Sequence, residues 1–299
     1  MSAPAPMPAE TSLTKEFIRS FCTSKLAIVG FVILVVTAVA AIFAPWITPQ
    51  NPYDLMQLDI MNGRLPPGSE NFDGGIFWLG TDDQGRDMLS GILFGLRTSL
   101  SVGIGSALLA GAVGVTIGLI AAYVGGRIES GLMRLVDLQL SFPSILVALM
   151  ILTILGKGIT NVVLALVIVE WAFYARTVRG SAIVEMQREY VEAAKGLAMP
   201  FYRVLFRELL PNCLPPILVI ATMQIARAIA LEATLSFLGL GVPITQPSLG
   251  LLIANGYQYV FAGYYWISFY PGIALLILIV AINLVGDQVR DILNPRMNK

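Results

Sequence analysis

The segment 189-EYVEAAKGLAMPFYRVLFRELLPN-212 decides how the rest of the chain is read. Eight charged residues fall between Glu185 and Glu208, in a chain of 299 residues that is 56% hydrophobic and only 13% charged. A soluble domain carries about a quarter charged residues, so the composition defines a polytopic membrane protein, and this segment is a polar excursion from it. From Ser181 to Met199, apolar Ile183, Val184, Val191, Ala194 and Leu197 interleave with Glu185, Arg188, Glu189, Glu192 and Lys195 at helical spacing. Pro200 disfavours helical geometry at Met199. A second helical run, Phe201 to Leu210, is expected to end at Pro211. The pattern predicts two short helices with a bend, parallel to the membrane. By itself such a loop is either an ordinary solvated connection or a surface for a partner.

Working outward, stretches of about 20 apolar residues are needed to cross the hydrocarbon core. Six are found: 26–45, 99–124, 138–155, 159–175, 214–240 and 267–286. The apolar run of the first exceeds a secretory signal core of about 7–15 residues, which predicts an uncleaved anchor. With the N-terminus inside, the cytoplasmic segments hold fourteen Lys and Arg residues and the external ones four (Arg64, Arg86, Arg97 and Lys157). The positive-inside rule therefore puts both termini and the 181–212 loop in the cytoplasm. The expected organisation is a cytoplasmic tail (1–25), a first span (26–45), an external loop (46–98), a five-helix core (99–286) containing the 181–212 loop, and a cytoplasmic C-terminal tail (287–299). Within the external loop, Thr81 followed by Gln84 matches a capping box. Met88, Leu89, Ile92, Leu93 and Leu96 share one face, which predicts an amphipathic helix on the outer membrane surface before span two. Asp82, Asp83 and Asp87 form an acidic cluster that is either a metal or proton site or, as is commoner, a set of helix caps in water, and caps are expected here. The second span carries Gly103, Gly105, Ala107, Gly111, Gly114 and Gly118, a pattern that lets backbones approach closely in the middle of a bundle.

Several chemistries are excluded. Net charge is zero, so no basic face argues for nucleic acid, and there is no histidine to act as general base or metal ligand. Cys22 and Cys213 are too few for a thiolate cage. No G-x-x-x-x-G-K-[ST] loop, G-x-S-x-G elbow or H-E-x-x-H pair occurs, so an enzyme is a poor reading. No metal site or bound cofactor is expected. The remaining classes are a gradient-driven carrier, a channel, a scaffold, or a membrane subunit driven by another subunit's ATP. Charges inside spans mark a pathway or a partner; here they are Glu170, which lies where it can reach the inner interface, and Arg227 with Glu232. The last two form a candidate intramembrane polar pair, facing the bundle interior or capping a helix break. No charge occurs from Ala233 to Gly286, which leaves a proton-coupled carrier without a relay.

The residues also carry a resemblance. Glu192-Ala193-Ala194, followed by Leu210-Pro211-Asn212, resembles the EAA loop of permease subunits of ATP-binding-cassette (ABC) importers. The likeness extends to 171-WAFYARTVRG-180, 78-WLGTDDQGRDMLSGILFGLRTSL-100 and 287-DQVRDILNPR-296. Together these are similar to the C-type permease subunit of dipeptide, oligopeptide and nickel importers. The resemblance implies an all-α membrane protein with six transmembrane helices and the type I importer permease fold, in a bacterial inner membrane. Its implied partners are a homologous second permease, two ATP-binding subunits that carry the ATP and Mg, an external substrate-binding protein, and membrane lipid. Glu192, Ala193, Ala194, Lys195, Gly196, Leu197 and Ala198 would couple to the ATPase, with Glu192, Ala193 and Ala194 as the inserting tip. Arg188, Arg203, Arg207 and Pro211 would support the loop. The family pattern expects glycine where this chain has Ala198. The aromatic, uncharged 242–266 region, with Trp266, is either a receptor-docking surface or an interfacial belt. A gradient-driven carrier working alone is the competing reading.

Overall fold

The computed structural model describes residues 13–293 apart from 55, 57 and 71–73; residues 1–12 of the expected N-terminal tail and 294–299 of the C-terminal tail lie outside the described residues. The described residues are mostly helical. A short helix, α1 (Leu13–Phe21), precedes α2 (Lys25–Ile47), whose N-terminus is capped by the Ser24 hydroxyl accepting from the Ala27 amide. After a largely non-helical segment come α3 (Met88–Val124), α4 (Gly126–Ser141), α5 (Ser144–Leu155) and α6 (Ile159–Glu185). The polar excursion holds α7 (Glu189–Gly196). It leads through α8 (Phe201–Arg203) and a π-turn (Val204–Leu209) into α9 (Leu210–Phe237). A short α10 (Leu249–Tyr257) and the final α11 (Trp266–Leu293) close the chain.

Among the described residues five helices are long and apolar enough to span a membrane, or six where the bent pair α4–α5 is taken together as one span. The expected third span, 138–155, is therefore not one straight helix. Pro143 forces Phe142 out of the helical region, to φ −89°, ψ 141°, and the two halves meet at 90°. At 1.5 Å per residue α5 is only about 18 Å long, too short to cross alone. The expected helix before span two is also not separate: α3 runs unbroken for 37 residues, roughly 55 Å. Met88, Ile92 and Leu96 are buried in the bundle rather than laid on a surface. Asp87, not Thr81, caps this helix, its Oδ2 accepting from the Ser90 amide at 2.8 Å and the Ser90 hydroxyl at 2.6 Å. The Thr81 hydroxyl instead accepts from the Leu65 amide and donates to the Asn62 carbonyl. The capping-box spacing matched a loop whose hydroxyl has a closer tertiary partner.

The long helix is the hub of the bundle, packing on α2, α4, α6, α9, α10 and α11. At Gly114 a Cβ would lie 2.2 Å from the Trp171 carbonyl oxygen, so absence of a side chain sets the α3–α6 separation. One apolar cluster, including Ile92, Leu96, Ile229, Leu249 and Leu278, joins α3, α9, α10 and α11. A second, with Val102, Leu152, Leu166 and Leu235, joins α3, α5, α6 and α9. The polar loop's own segment also departs from expectation. Helix does not end at Pro211; it continues through Pro211, Pro215 and Pro216. The Leu210 amide bonds to the carbonyl of Leu205, five residues back, and this widened turn makes room for a ring that lacks an N–H.

Candidate functional site

The chain direction places the N-terminal ends of α3 and α6 and the C-terminal end of α9 at one end of the bundle. The opposite end carries α7. That short helix is held by two of its own residues: Val191 is fully buried and Ala194 is 5% exposed. They join Leu119 of α3, Val178 and Ala182 of α6, and Val204, Leu205, Leu209 and Cys213 of the π-turn and α9 in one apolar cluster. Glu192, Ala193, Lys195, Gly196, Leu197 and Ala198 face outward, Leu197 with 78% of its surface free. Ala194 is thus not part of an inserting tip; helical spacing turns it inward, three residues after Val191. Arg188, Arg203, Arg207 and Pro211 are exposed around the same end. Arg188 pairs with Glu185 at 4.0 Å, and the Lys195 ammonium lies 5.4 Å from the Tyr123 ring centroid. The Tyr190 hydroxyl donates to Glu185 at 2.8 Å; burial first, then that bond, pushes its phenol up to about 12.

The bend after α7 has a defined chemistry. The Met199 amide bonds to the Ala194 carbonyl (3.2 Å) and the Ala198 amide to the Lys195 carbonyl (2.9 Å). This is the Schellman pair of hydrogen bonds. Ala198 occupies its left-handed position at φ +51°, which favours glycine. Pro200 follows, where a helix cannot continue. The two-helix reading with a break at Met199 and the special backbone at 198 meet in one motif.

Arg227 and Glu232 do not pair with each other. The Arg227 guanidinium donates to the Ser144 hydroxyl at 2.7 Å and lies 4.2 Å over the Phe173 ring, tying α9 to the start of α5 and to α6. Glu232 is fully buried and accepts from Ser99 of α3 (2.9 Å) and from Ser236 (2.7 Å). Glu170 does not reach the interface: it is fully buried on α6, and neither carboxylate oxygen has a hydrogen-bond partner. Its position midway along a span, beside helices on both sides, is invisible to a one-dimensional reading. The serines were missed for a related reason, since Ser99 is 133 residues from Glu232 and no spacing connects them.

At the other end, the acidic cluster is not in water. Asp82 and Asp87 are buried. One Asp82 oxygen accepts from the Gln84 and Arg86 amides, each at 2.8 Å. Burial outweighs those bonds and raises its carboxyl from 3.8 to about 6, and burial raises Asp87 as well. Trp266 is neither a belt residue nor a docking surface: it is 6% exposed, and its indole N–H donates to the Thr81 carbonyl at 3.1 Å.

A hub helix packed through glycine, several helices of membrane-spanning length, and a short amphipathic helix held at one end of the bundle define a multi-helix membrane protein. The fold likeness is to the MetNI methionine ABC transporter in its inward facing conformations, with a TM-score of 0.56 and 21% identity over 69% of this chain and 97% of that one. Residues 114–299 match the binding-protein-dependent transport system inner membrane component family, and residues 12–67 match the N-terminal TM domain of oligopeptide transport permease C. The chain belongs to this family of inner-membrane permeases of ABC importers. It is 36% identical to the di/tripeptide transport system permease protein DppC of Pseudomonas aeruginosa (strain UCBPP-PA14), covering 99% of this chain and 97% of that protein. It is 35% identical to the oligopeptide transport system permease protein OppC of Bacillus subtilis (strain 168), covering 96% and 91%. Membership decides against a gradient-driven carrier. It also implies ATPase and substrate-binding partners and a multi-pass location in a bacterial inner membrane.

Proposed function

We propose that this chain is one of two related permease subunits of a peptide importer, and that its 189–198 segment couples the spans to partner ATPases. The observation that carries the reading is the division of labour on α7. Val191 and Ala194 fasten it to α3, α6 and α9, while Glu192, Ala193 and Leu197 stand free. A rigid body so attached transmits a push to the helices that cross the membrane, as an isolated loop cannot. Exposed Leu197 supplies an apolar anchor and Glu192 a charge, the pairing of core and rim found at protein interfaces. In this reading ATP binding closes two ATPase subunits, these move the coupling helices of both permeases, and the central path changes its side of access. The ATP and Mg reside on those partners. The loop end and both termini lie in the cytoplasm by the arginine and lysine count. Peptide as substrate rests on what the relatives are named for.

The test is reconstitution of this chain with its sister permease, ATPases and receptor in proteoliposomes. Leu197→Asp and Glu192→Arg are expected to lower receptor-stimulated ATP hydrolysis and uptake by about tenfold or more, with the melting temperature of the permease pair unchanged. Ala194→Trp is expected to lower that melting temperature, because it acts on the chain's own packing. Uptake that survives omission of the ATPases and follows an imposed ion gradient would overturn the proposal.

A further inference from the structure

A groove of about 570 Å³ runs between α2 and α3, walled by Leu34, Ala38 and Ile42 on one side and Leu100, Ile104 and Gly105 on the other. Of its lining residues only Arg97 is charged. Between Met88 and Leu100 it is the one exposed residue of α3, and Ser101, Ile104 and Leu108 continue its stripe at helical spacing. Among the described residues the ion pairs are made by Arg176, Arg179 and Arg188, and no carboxylate answers Arg97.

Two observations set its depth. From Arg97 to Val124 the helix covers about 40 Å, close to a bilayer with its headgroups, about 40–45 Å. Trp46, one turn beyond Ile42 on α2, is 76% exposed, and exposed tryptophan collects at headgroup level. Arg97 therefore stands at headgroup depth in the leaflet away from α7, with the apolar groove beneath it. The walls indicate what covers that groove. On α2 the small residues Ala27, Gly30, Ala41 and Ala44 are buried against the chain's own bundle, while Val32, Val35, Val36, Val39 and Phe43 are exposed. Contacts between helices in lipid are enriched in small and polar residues. A face of branched and aromatic side chains with a single guanidinium has instead the chemistry of a lipid contact.

We propose that this groove seats one anionic phospholipid, with the Arg97 guanidinium holding its phosphate and an acyl chain lying between α2 and α3. Arginine grips a phosphate through two parallel N–H donors. A headgroup without an ammonium of its own is preferred, because nothing in it competes for the phosphate. At Gly105 a Cβ would meet nothing within 4 Å, so the path of the chain is open there. The seat is independent of the transported substrate.

The test is photo-crosslinking in lipid nanodiscs of the complex of both permeases and ATPases, with phosphatidylglycerol carrying a diazirine in its acyl chain as probe. Label is expected on residues 34–42 and 100–105. Unlabelled phosphatidylglycerol is expected to displace it about tenfold better than phosphatidylethanolamine of the same chains, as the gain of one charge-assisted contact does. Arg97→Gln is expected to abolish that headgroup preference, with labelling of the other spans unchanged. Gly105→Phe, which leaves the charge in place, is expected to lower labelling of 100–105 by filling the groove. No label on the two segments, or equal displacement by both lipids in the wild-type complex, overturns the seat and needs no variant to fold. Preference retained in Arg97→Gln overturns the role of the guanidinium. Disulfide cross-linking of Ile104→Cys to cysteines placed along the spans of the sister permease would show that protein, not lipid, covers the groove, and would also overturn it.

Discussion

Ala198 holds a left-handed backbone, φ +51°, where a side chain crowds the following carbonyl at a cost of about 1–2 kcal/mol. Glycine would relieve that contact but lose more backbone entropy on folding. The balance predicts that Ala198→Gly stabilises the complex by about 0.5 kcal/mol and that Ala198→Val destabilises it by more, as read by thermal melting. Coupling should persist in Ala198→Gly, because the hydrogen bonds of the motif are made by the backbone. Asp82 offers a second residue-scale prediction. Its folded carboxyl sits at about 6 against an ordinary 3.8, so the native state binds its proton more tightly than the unfolded chain does. Stability therefore falls as pH rises through that window and is level above it. Asp82→Asn should remove that slope, visible as a difference in melting temperature between wild type and variant that changes from pH 4 to 6 and not from 7 to 8. A difference independent of pH would show that the carboxyl ionises in the fold as it does in water.

At the scale of elements, the spacing of α3 and α6 depends on particular glycines and not on the small-residue pattern as a whole. A methyl at Gly114 meets the Trp171 carbonyl at 2.2 Å, whereas one at Gly105 meets nothing within 4 Å. Gly114→Ala is expected to destabilise by about 1–3 kcal/mol. Gly105→Ala should be neutral or slightly stabilising through helix propensity. Equal effects from the two would mean that the helices are not packed as described. The broken span depends on Arg227 in a similar way. Its bond to Ser144 and its seat over Phe173 hold the start of α5 against α9 and α6. Toward the C-terminal end of α6, Arg179 is bonded to Glu129 and Arg176 to Asp137, which fastens α4. These contacts fix the 90° bend from both sides.

For the whole molecule, the polarity in the membrane is the property that composition addresses most directly. In a Cys22→Ser background, a membrane-impermeant maleimide applied from the cytoplasmic side is expected to label Leu197→Cys, and one applied from outside Lys157→Cys. Both residues are exposed, and Cys213 is buried. The reverse pattern would invert the orientation and remove the coupling role of α7, since ATP is cytoplasmic. The same topology brings α10 and α7 to opposite ends of α3, α6 and α9, so a movement of these helices reaches both.

The sequence by itself determined the class of molecule. Apolar run length set the spans, because a bilayer is a solvent of fixed thickness. The local order of polar and apolar residues set α7 and its break, because a helix repeats every 3.6 residues and proline cannot continue it. What only the tertiary structure decided is where each polar group ends. Thr81 and the Asp82–Asp87 turn have the local chemistry of a solvated cap, yet residues from 62 to 266 close over them. Glu232 and Arg227 are five residues apart, yet they turn to different neighbours on α3 and α5. Ala194 carries the family motif, yet faces inward. Short-range steric and hydrogen-bond preferences are written along the chain. The choice among partners tens or hundreds of residues away is made by packing, and packing exists only when the helices come together.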